Sequence, residues 1–391
     1  VTALPPNATI GIIGGGQLGR MTALAAARLG LRSHIFSPEA ASPATQVAGA
    51  TTVADYEDHG ALREFAEQVD VVTFEFENVS AAGLDLLASL RPVRPSPAVL
   101  RISQDRVLEK NFLNVSGVAT AAWQAVDSQP ALHAAAAAIG FPAVLKTTRL
   151  GYDGRGQRLL RGPSDLEPAW EVLAPKPLIL EAFVDFACEL SVIVARGSDG
   201  TVVAFDTVEN RHRNHILDLT LAPARIDPEF SAQAQAMACH LAERLDLVGL
   251  LAVELFLTRD AKLLANEVAP RPHNSGHWTI DACPASQFEL FVRAVAELPL
   301  PPAVRHSDAV MKNLVGPADL ALWPAILATP ALIAHHYGKA EARPGRKLGH
   351  VTRLFARGGL PGDFGVAASL GPLGLPVLGT PRDPITRGDA P

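Results

Sequence analysis

The chain has 391 residues, 48% of them hydrophobic and 19% charged, with a formal net charge of −6. That length exceeds a single hydrophobic core and predicts two or three domains. The slight acidity and the lack of a basic run exclude an ordinary nucleic-acid surface, so any anionic ligand must be held by local arginines and lysines.

Cys188, Cys239 and Cys283 are scattered and lack CxxC spacing, which predicts neither a disulfide framework nor a zinc site. The apolar runs are too short and interrupted to span a bilayer, and no charged leader precedes an apolar stretch. A cytoplasmic protein, with no membrane and no nucleic acid among its partners, is expected.

The chain opens as an α/β unit. ATIGIIGGGQLGRMTALAAARLGLRSHIFSP reads as strand, glycine turn, Ala-rich helix and second strand. Gly14-Gly15-Gly16-Gln17-Leu18-Gly19 matches the GxGxxG pattern of dinucleotide sites, so a nicotinamide-dependent oxidoreductase is one reading. Such a site also wants an acid at the end of the second strand, and here that strand ends in Ser37-Pro38, with Glu39 beyond. The glycines equally allow close helix packing, or offer backbone N–H groups to one phosphate or hydroxyl.

VDVVTFEFENV is a further buried strand ending in Glu77-Asn78, and RPVRPSP marks a boundary near residue 100. A helix is expected around residues 103–114. DSQPALHAAAAAIGFP carries a full helix signal: Asp127 or Ser128 as cap, Pro130 in the first turn, Gly140 at the end and Pro142 beyond. The strand PAVLKTT then delivers Lys146 to a polar, glycine-rich loop running to Gln157. Small residues let backbone amides reach phosphate oxygens, and the lysine adds a point charge. GxxxxGK[ST] is absent, and a surface hairpin with a bulge is the plainer alternative.

PLILEAFV closes a strand at Glu181-Ala182-Phe183-Val184, with Glu189 eight residues on. This fits a nucleotide clamp, with backbone groups for an adenine edge and an acid for ribose hydroxyls. Residues 188–268 are mostly β, with one helix over 230–245. Within them, LLAVELFLTRDAKLLANEVAPR reads as a tight β-hairpin turning at Arg259-Asp260. That turn sets Glu254 opposite Ala265, and the two-residue side-chain period puts Glu267 on the same face as Glu254. Two close carboxylates repel one another unless a divalent cation lies between them, and Mg²⁺ is normally held by one or two carboxylates plus substrate phosphates. A solvated acidic face is the alternative. A last module begins near Leu298, and the Gly- and Pro-dense stretch after Phe355 reads as loops or a loosely held tail.

In order, the helix with Arg106 and Lys110, strand-end Lys146, the glycine loop, the 181–184 segment, Glu189 and the Glu254/Glu267 hairpin resemble the ATP-grasp superfamily. GIIGGGQLGRM, TFEFENV, KTTRLGYDGRGQ, LEAFVDFACELS, NEVAPRPHNSGHWTID and HHYGKAEARPGRKLGHVT are similar, more closely, to the 5-(carboxyamino)imidazole ribonucleotide synthase family. The blocks run from residue 11 to about 352.

The resemblance implies an α/β chain, α+β in its central part, in three pieces. These are a Rossmann-like domain over 1–102, an ATP-grasp domain over 103–297 and a small C-terminal domain over 298–391, usually in a homodimer. It implies condensation of bicarbonate with the exocyclic amine of aminoimidazole ribonucleotide, through carboxyphosphate, with ATP converted to ADP and phosphate. Two anionic reactants must then approach a triphosphate, which calls for cations and Mg²⁺.

By the same resemblance, ATP is held by Arg106, Lys146, Gly151, Tyr152, Asp153, Gly154, Arg155, Gly156, Gln157, Glu181, Ala182, Phe183, Val184, Glu189, His212, Asn266 and Glu267. Mg²⁺ is held by Glu254 and Glu267. Gln17, Leu18, Glu75, Tyr152, Asp153, Arg155, Arg271, His273, Asn274, Lys339 and Arg346 shape the carboxylation and ribonucleotide site, with Asp153, Arg155, Arg271 and Lys339 as its catalytic members. Lys339, Arg346 and Lys347 form a cationic cluster suited to a 5′-phosphate; without the other blocks they would read as a solvated basic loop. Two positions depart from the family: Leu150 stands where a glycine is usual, and Val268-Ala269 lacks the Asn that many ATP-grasp enzymes carry after the second metal glutamate. The alternatives are another carboxylate–amine ligase of the superfamily and, from a different class, the oxidoreductase suggested by residues 14–19.

Overall fold

The computed structural model describes residues 3–149 and 156–374. Strands β1 (Thr9–Ile13), β2 (Arg32–Ser37), β3 (Ala50–Val53) and β4 (Val71–Phe74) form a parallel sheet in the order β3-β2-β1-β4. Helix α1 (Gln17–Arg28) makes the β1-to-β2 crossover, and α2 (His59–Glu67) and α3 (Ala81–Ala88) follow. β4 stops at Phe74, so the Glu77-Asn78 pair lies beyond the strand rather than at its end.

The expected single helix near residues 103–114 is two. α4 (Pro97–Gln104) and α5 (Arg106–Val115) meet at Asp105, whose backbone is extended and whose carboxylate accepts from Val107 and Leu108 N–H. A residue that caps the next helix cannot continue the previous one. Helix α6 (Gln129–Ile139) is capped by Ser128 and ends at Gly140 with φ 83°.

The next sheet is antiparallel: β5 (Trp123–Val126), β6 (Ala143–Thr147), β7 (Gln157–Leu160) and β8 (Leu178–Ala182) lie in the order β5-β8-β6-β7. The third sheet contains β9 (Phe186–Arg196), β10 (Val202–Ala204), β11 (Val208–Arg213), β12 (Ile216–Ala222), β13 (Gly249–Thr258), β14 (Leu263–Ala269), β15 (Asp308–Val315), β16 (Leu332–His336) and β17 (Lys347–Phe355). Its order is β14-β13-β9-β11-β12-β15-β17-β16, with β10 beside β9.

This sheet is covered on both faces, as the unbroken apolar runs of β9 and β13 require. Val192, Val194, Leu251 and Val253 pack against Ala234, Ala238 and Leu241 of the helix Pro228–Arg244. Ile193, Ala195, Leu250 and Ala252 share the other core with Trp278, Leu290 and Phe291, and that core runs on into Ile10 and Ile12 of the first sheet and Ala23 of α1.

The segment after Phe355 is not wholly loop. Asp363–Ser369 is helical, and Val366, Leu370 and Leu373 are buried against Leu219, Val310 and Val351. Spaced apolar residues outweighed the surrounding glycines and prolines there.

Candidate functional site

The glycine turn comes first. Gly16 and Gly19 at the start of α1 donate their N–H groups to the two carboxylate oxygens of Glu75, the second at 2.7 Å. Glu75 is 7% exposed; burial raises its pKa, and the two N–H donors only partly offset that. A Cβ on Gly14, where φ is +111°, would lie 2.4 Å from Glu75 Cγ, and one on Gly16 would lie 2.6 Å from its Oε1. The glycines admit the chain's own acid to the helix N-terminus, where a dinucleotide would place its pyrophosphate. The oxidoreductase reading loses its anion site.

The main cleft has a volume of about 1560 Å³ and lies between the β5–β8 sheet, the β13/β14 hairpin and the first domain. Lys146 on β6 and Lys110 on α5 converge on the Glu181 carboxylate at 3.0 and 3.3 Å. Burial alone would raise the Glu181 pKa, but Lys146 and then Lys110 hold it down at about 2. Burial lowers the Lys146 pKa, with Glu181 opposing. Ala182, Phe183, Val184, Gln157 and Glu189 also line this wall. The Glu189 carboxylate accepts from His212 Nδ1 at 2.7 Å; burial would lower the His212 pKa, and Glu189 raises it instead.

The hairpin faces them. Its turn is one residue longer than Arg259-Asp260 implies: Leu257 pairs with Leu263, and Ala261 takes up the extra residue with φ 60°. That slip alone would reverse the face of every later side chain. A bulge at Asn266 reverses it again, so the register steps from Leu255↔Ala265 to Glu254↔Glu267. The expected Glu254–Ala265 pairing is therefore wrong, while the shared face of the glutamates survives because the two one-residue shifts add to one full side-chain period.

Glu254 lies 3.1 Å from His273 Nε2, and Glu267 lies 3.1 Å from Arg106 Nη1. Although burial opposes it, His273, then His212 and Lys347, hold Glu254 well below the usual carboxylate range. The donors offered to a cation are hard carboxylate oxygens, which suits Mg²⁺.

Arg271 pairs with Glu77 at 2.6 Å, and Gln17, Leu18, Asn266, Arg271, His273 and Asn274 all border the cleft. The Asn274 amide is engaged reciprocally by Asn313 at 3.0 and 2.6 Å. Glu75, Lys339 and Arg346 do not line it; Lys339 Nζ lies 5.9 Å from the Tyr337 ring centroid, and Arg346 donates to the Glu341 carbonyl at 3.2 Å. Gly151, Tyr152, Asp153, Gly154 and Arg155 lie outside the described residues. Lys347, expected in the cationic cluster, borders the cleft, and so do Glu77 and Glu109, which were assigned no site role from sequence. Glu109 is raised to about 8, first by burial and then by Glu267. An acid one helical turn after Arg106 was the available signal for it.

Three family profiles match the chain: a ribonucleotide synthetase preATP-grasp domain at residues 7–104, an ATP-grasp domain at 111–288 and a phosphoribosylaminoimidazole carboxylase C-terminal domain at 309–357. The N5-carboxyaminoimidazole ribonucleotide synthase of Brucella melitensis is 51% identical over 91% of this chain and 99% of its own. The solved ADP complex of an N5-carboxyaminoimidazole ribonucleotide synthetase superposes with TM-score 0.90 at 42% identity, covering 95% of this chain and 98% of that one. The Aspergillus clavatus N5-carboxyaminoimidazole synthase, solved with ADP and 5-aminoimidazole ribonucleotide, does so with TM-score 0.84 at 32% identity, covering 90% and 94%.

Proposed function

Because the chain belongs to the N5-carboxyaminoimidazole ribonucleotide synthase family of ATP-grasp ligases, we propose that it carboxylates the exocyclic amine of 5-aminoimidazole ribonucleotide in purine biosynthesis, consuming bicarbonate and ATP. The observation that carries this is the cross-strand pairing of Glu254 with Glu267 on one wall of a cleft that Lys146 also lines. An acidic pair facing a buried cation is what a polyphosphate and its metal require.

The γ-phosphoryl group passes to a bicarbonate oxygen, releasing ADP. The amine nitrogen of the ribonucleotide then attacks the carbon of carboxyphosphate, phosphate departs with the C–O bond, and the amine loses a proton. Lys146 and Arg106 offset the charge of the triphosphate. The 181–184 segment and Glu189 take the adenine and ribose, with His212 fixing Glu189. Glu254 and Glu267 hold Mg²⁺, which neutralises charge on the transferring phosphoryl group when bound.

Arg271, His273, Gln17 and Leu18 border the ribonucleotide side, with Lys339, Arg346 and Lys347 for its phosphate. Asp153 and Arg155 of the glycine loop orient the amine and the bicarbonate-derived group. The chain divides into domains at 1–102, 103–297 and 298–391, works as a homodimer and resides in the cytoplasm. No described helix is long and apolar enough to cross a membrane.

The test is ADP release in the presence of Mg²⁺, with bicarbonate and aminoimidazole ribonucleotide each omitted in turn. Release that needs both supports the reading. Release that follows formate rather than bicarbonate overturns it in favour of a formyl-phosphate ligase.

A further inference from the structure

β14 is the edge strand of its sheet, and apart from Ala265, whose N–H donates to the Ala119 carbonyl at 2.8 Å, its outward backbone groups need partners from outside the ladder. The demand is sharpest at the bulge, where Asn266 has no opposite residue on β13. A slip of one residue there would carry Glu267 to the other face of the strand.

Helix α5 meets this demand from one side. Arg106, Glu109 and Lys110 stand at i, i+3 and i+4 and share a helix face. Arg106 Nη1 reaches the Glu267 carboxylate at 3.1 Å. Lys110 Nζ donates to the Asn266 carbonyl at 2.8 Å, and Val268 N–H donates to Glu109 Oε1 at 2.6 Å. Three consecutive residues of the bulged strand are held by a little over one turn of helix. Glu109 and Lys110 are 2% and 1% exposed, so these bonds do not compete with bulk water.

We propose that Glu109 is a positioning residue for the Glu267 carboxylate: by accepting the Val268 N–H it fixes the bulge, and with it the face on which Glu267 meets Glu254. The inference rests on the reading above that Glu254 and Glu267 hold a divalent cation. Glu109 acts here as an acceptor of the right reach, and its charge is incidental.

Two conservative variants of the full chain separate reach from charge. Glu109→Gln keeps the reach and loses the charge; Glu109→Asp keeps the charge and draws the oxygen back by one methylene. The probe is Mn²⁺ with ADP, titrated by electron paramagnetic resonance. Hydrogen–deuterium exchange over residues 263–269 is followed in protein free of metal and nucleotide.

E109D should weaken Mn²⁺ about tenfold or more, as lost support of a metal ligand does, and should speed exchange at Val268. E109Q should stay near wild type in both. Wild-type Mn²⁺ affinity in E109D overturns the proposal, and so does E109Q as weak as E109D, because that pattern marks a charge effect. Glu267→Gln separates the two layers of the argument. If it binds Mn²⁺ as tightly as wild type, the metal assignment itself falls. If it loses the ion while E109D does not, the metal assignment stands and only the role of Glu109 is lost.

Discussion

The glycine turn of α1 and the β13/β14 hairpin both bring carboxylates to a site suited to a charged ligand, and they treat those carboxylates in opposite ways. At α1 the acid is Glu75, and the chain supplies its partners, the N–H groups of Gly16 and Gly19. At the hairpin two acids pair across the strands beside an open cleft, with His273 and Arg106 as basic partners among the described residues. A helix N-terminus is an anion site only until the protein fills it. A pair of facing glutamates stays in want of a cation until one arrives from outside. Glu181 is the intermediate case, an acid inside the cleft wall whose charge is answered by Lys146 and Lys110.

The largest test of this contrast is Glu267→Gln. Turnover should fall at least about a hundredfold, several kcal/mol of transition-state stabilisation, with the thermal transition unchanged. Near-normal activity with the same Mg²⁺ dependence would break the comparison at its hairpin end.

Glu181→Gln should cost stability rather than chemistry alone, since it leaves two buried lysines without their counter-charge, a loss of about 3–5 kcal/mol. The folded Glu181 pKa of about 2 lies below its ordinary value of 4.5. Its contribution is therefore complete above about 4.5 and is lost as pH falls toward 2. Denaturation curves of wild type and variant should diverge at neutral pH and draw together below pH 4. A constant gap across that window would show that the pair contributes no proton-linked stability.

Glu75→Ala strands two N–H groups at the α1 terminus and should cost about 1–3 kcal/mol in urea denaturation. A variant as stable as wild type would mean that the helix terminus is satisfied by something other than Glu75. Smallest is Ala261→Gly. Relieving a left-handed alanine should stabilise the protein by about 1 kcal/mol and leave Mg²⁺ activation untouched, separating the strain of the turn from the function of the bulge.

Much of this was written locally. The Ser128 cap, Pro130 and Gly140 announce α6 because each acts within one turn of its own position. The unbroken apolar runs of β9 and β13 announce strands, and their length without a polar face matches a sheet covered on both sides. Register did not announce itself, because the bulge at Asn266 is held by contacts with α5, some 150 residues away, and it offsets the left-handed Ala261 of the turn. The partner of the glycine turn was hidden for the same reason, since Gly16 and Glu75 are 59 residues apart. The break at Asp105 was legible in principle, an acid before a helical stretch, yet it sat inside a pattern that reads as continuous helix.

The pairing of β12 with β15, from Leu219↔Lys312 to Ala222↔Ala309, joins the catalytic sheet to the C-terminal strands as a single ladder. A gene that lost the codons for β15 would expose the edge of β12, with Leu219 and Leu221 stripped of Val310 and Leu314. Such a product would pair with its own kind before it could bind anything else. Deletions are tolerated where they leave no sticky edge, so β15 is bound to remain with the sheet it continues.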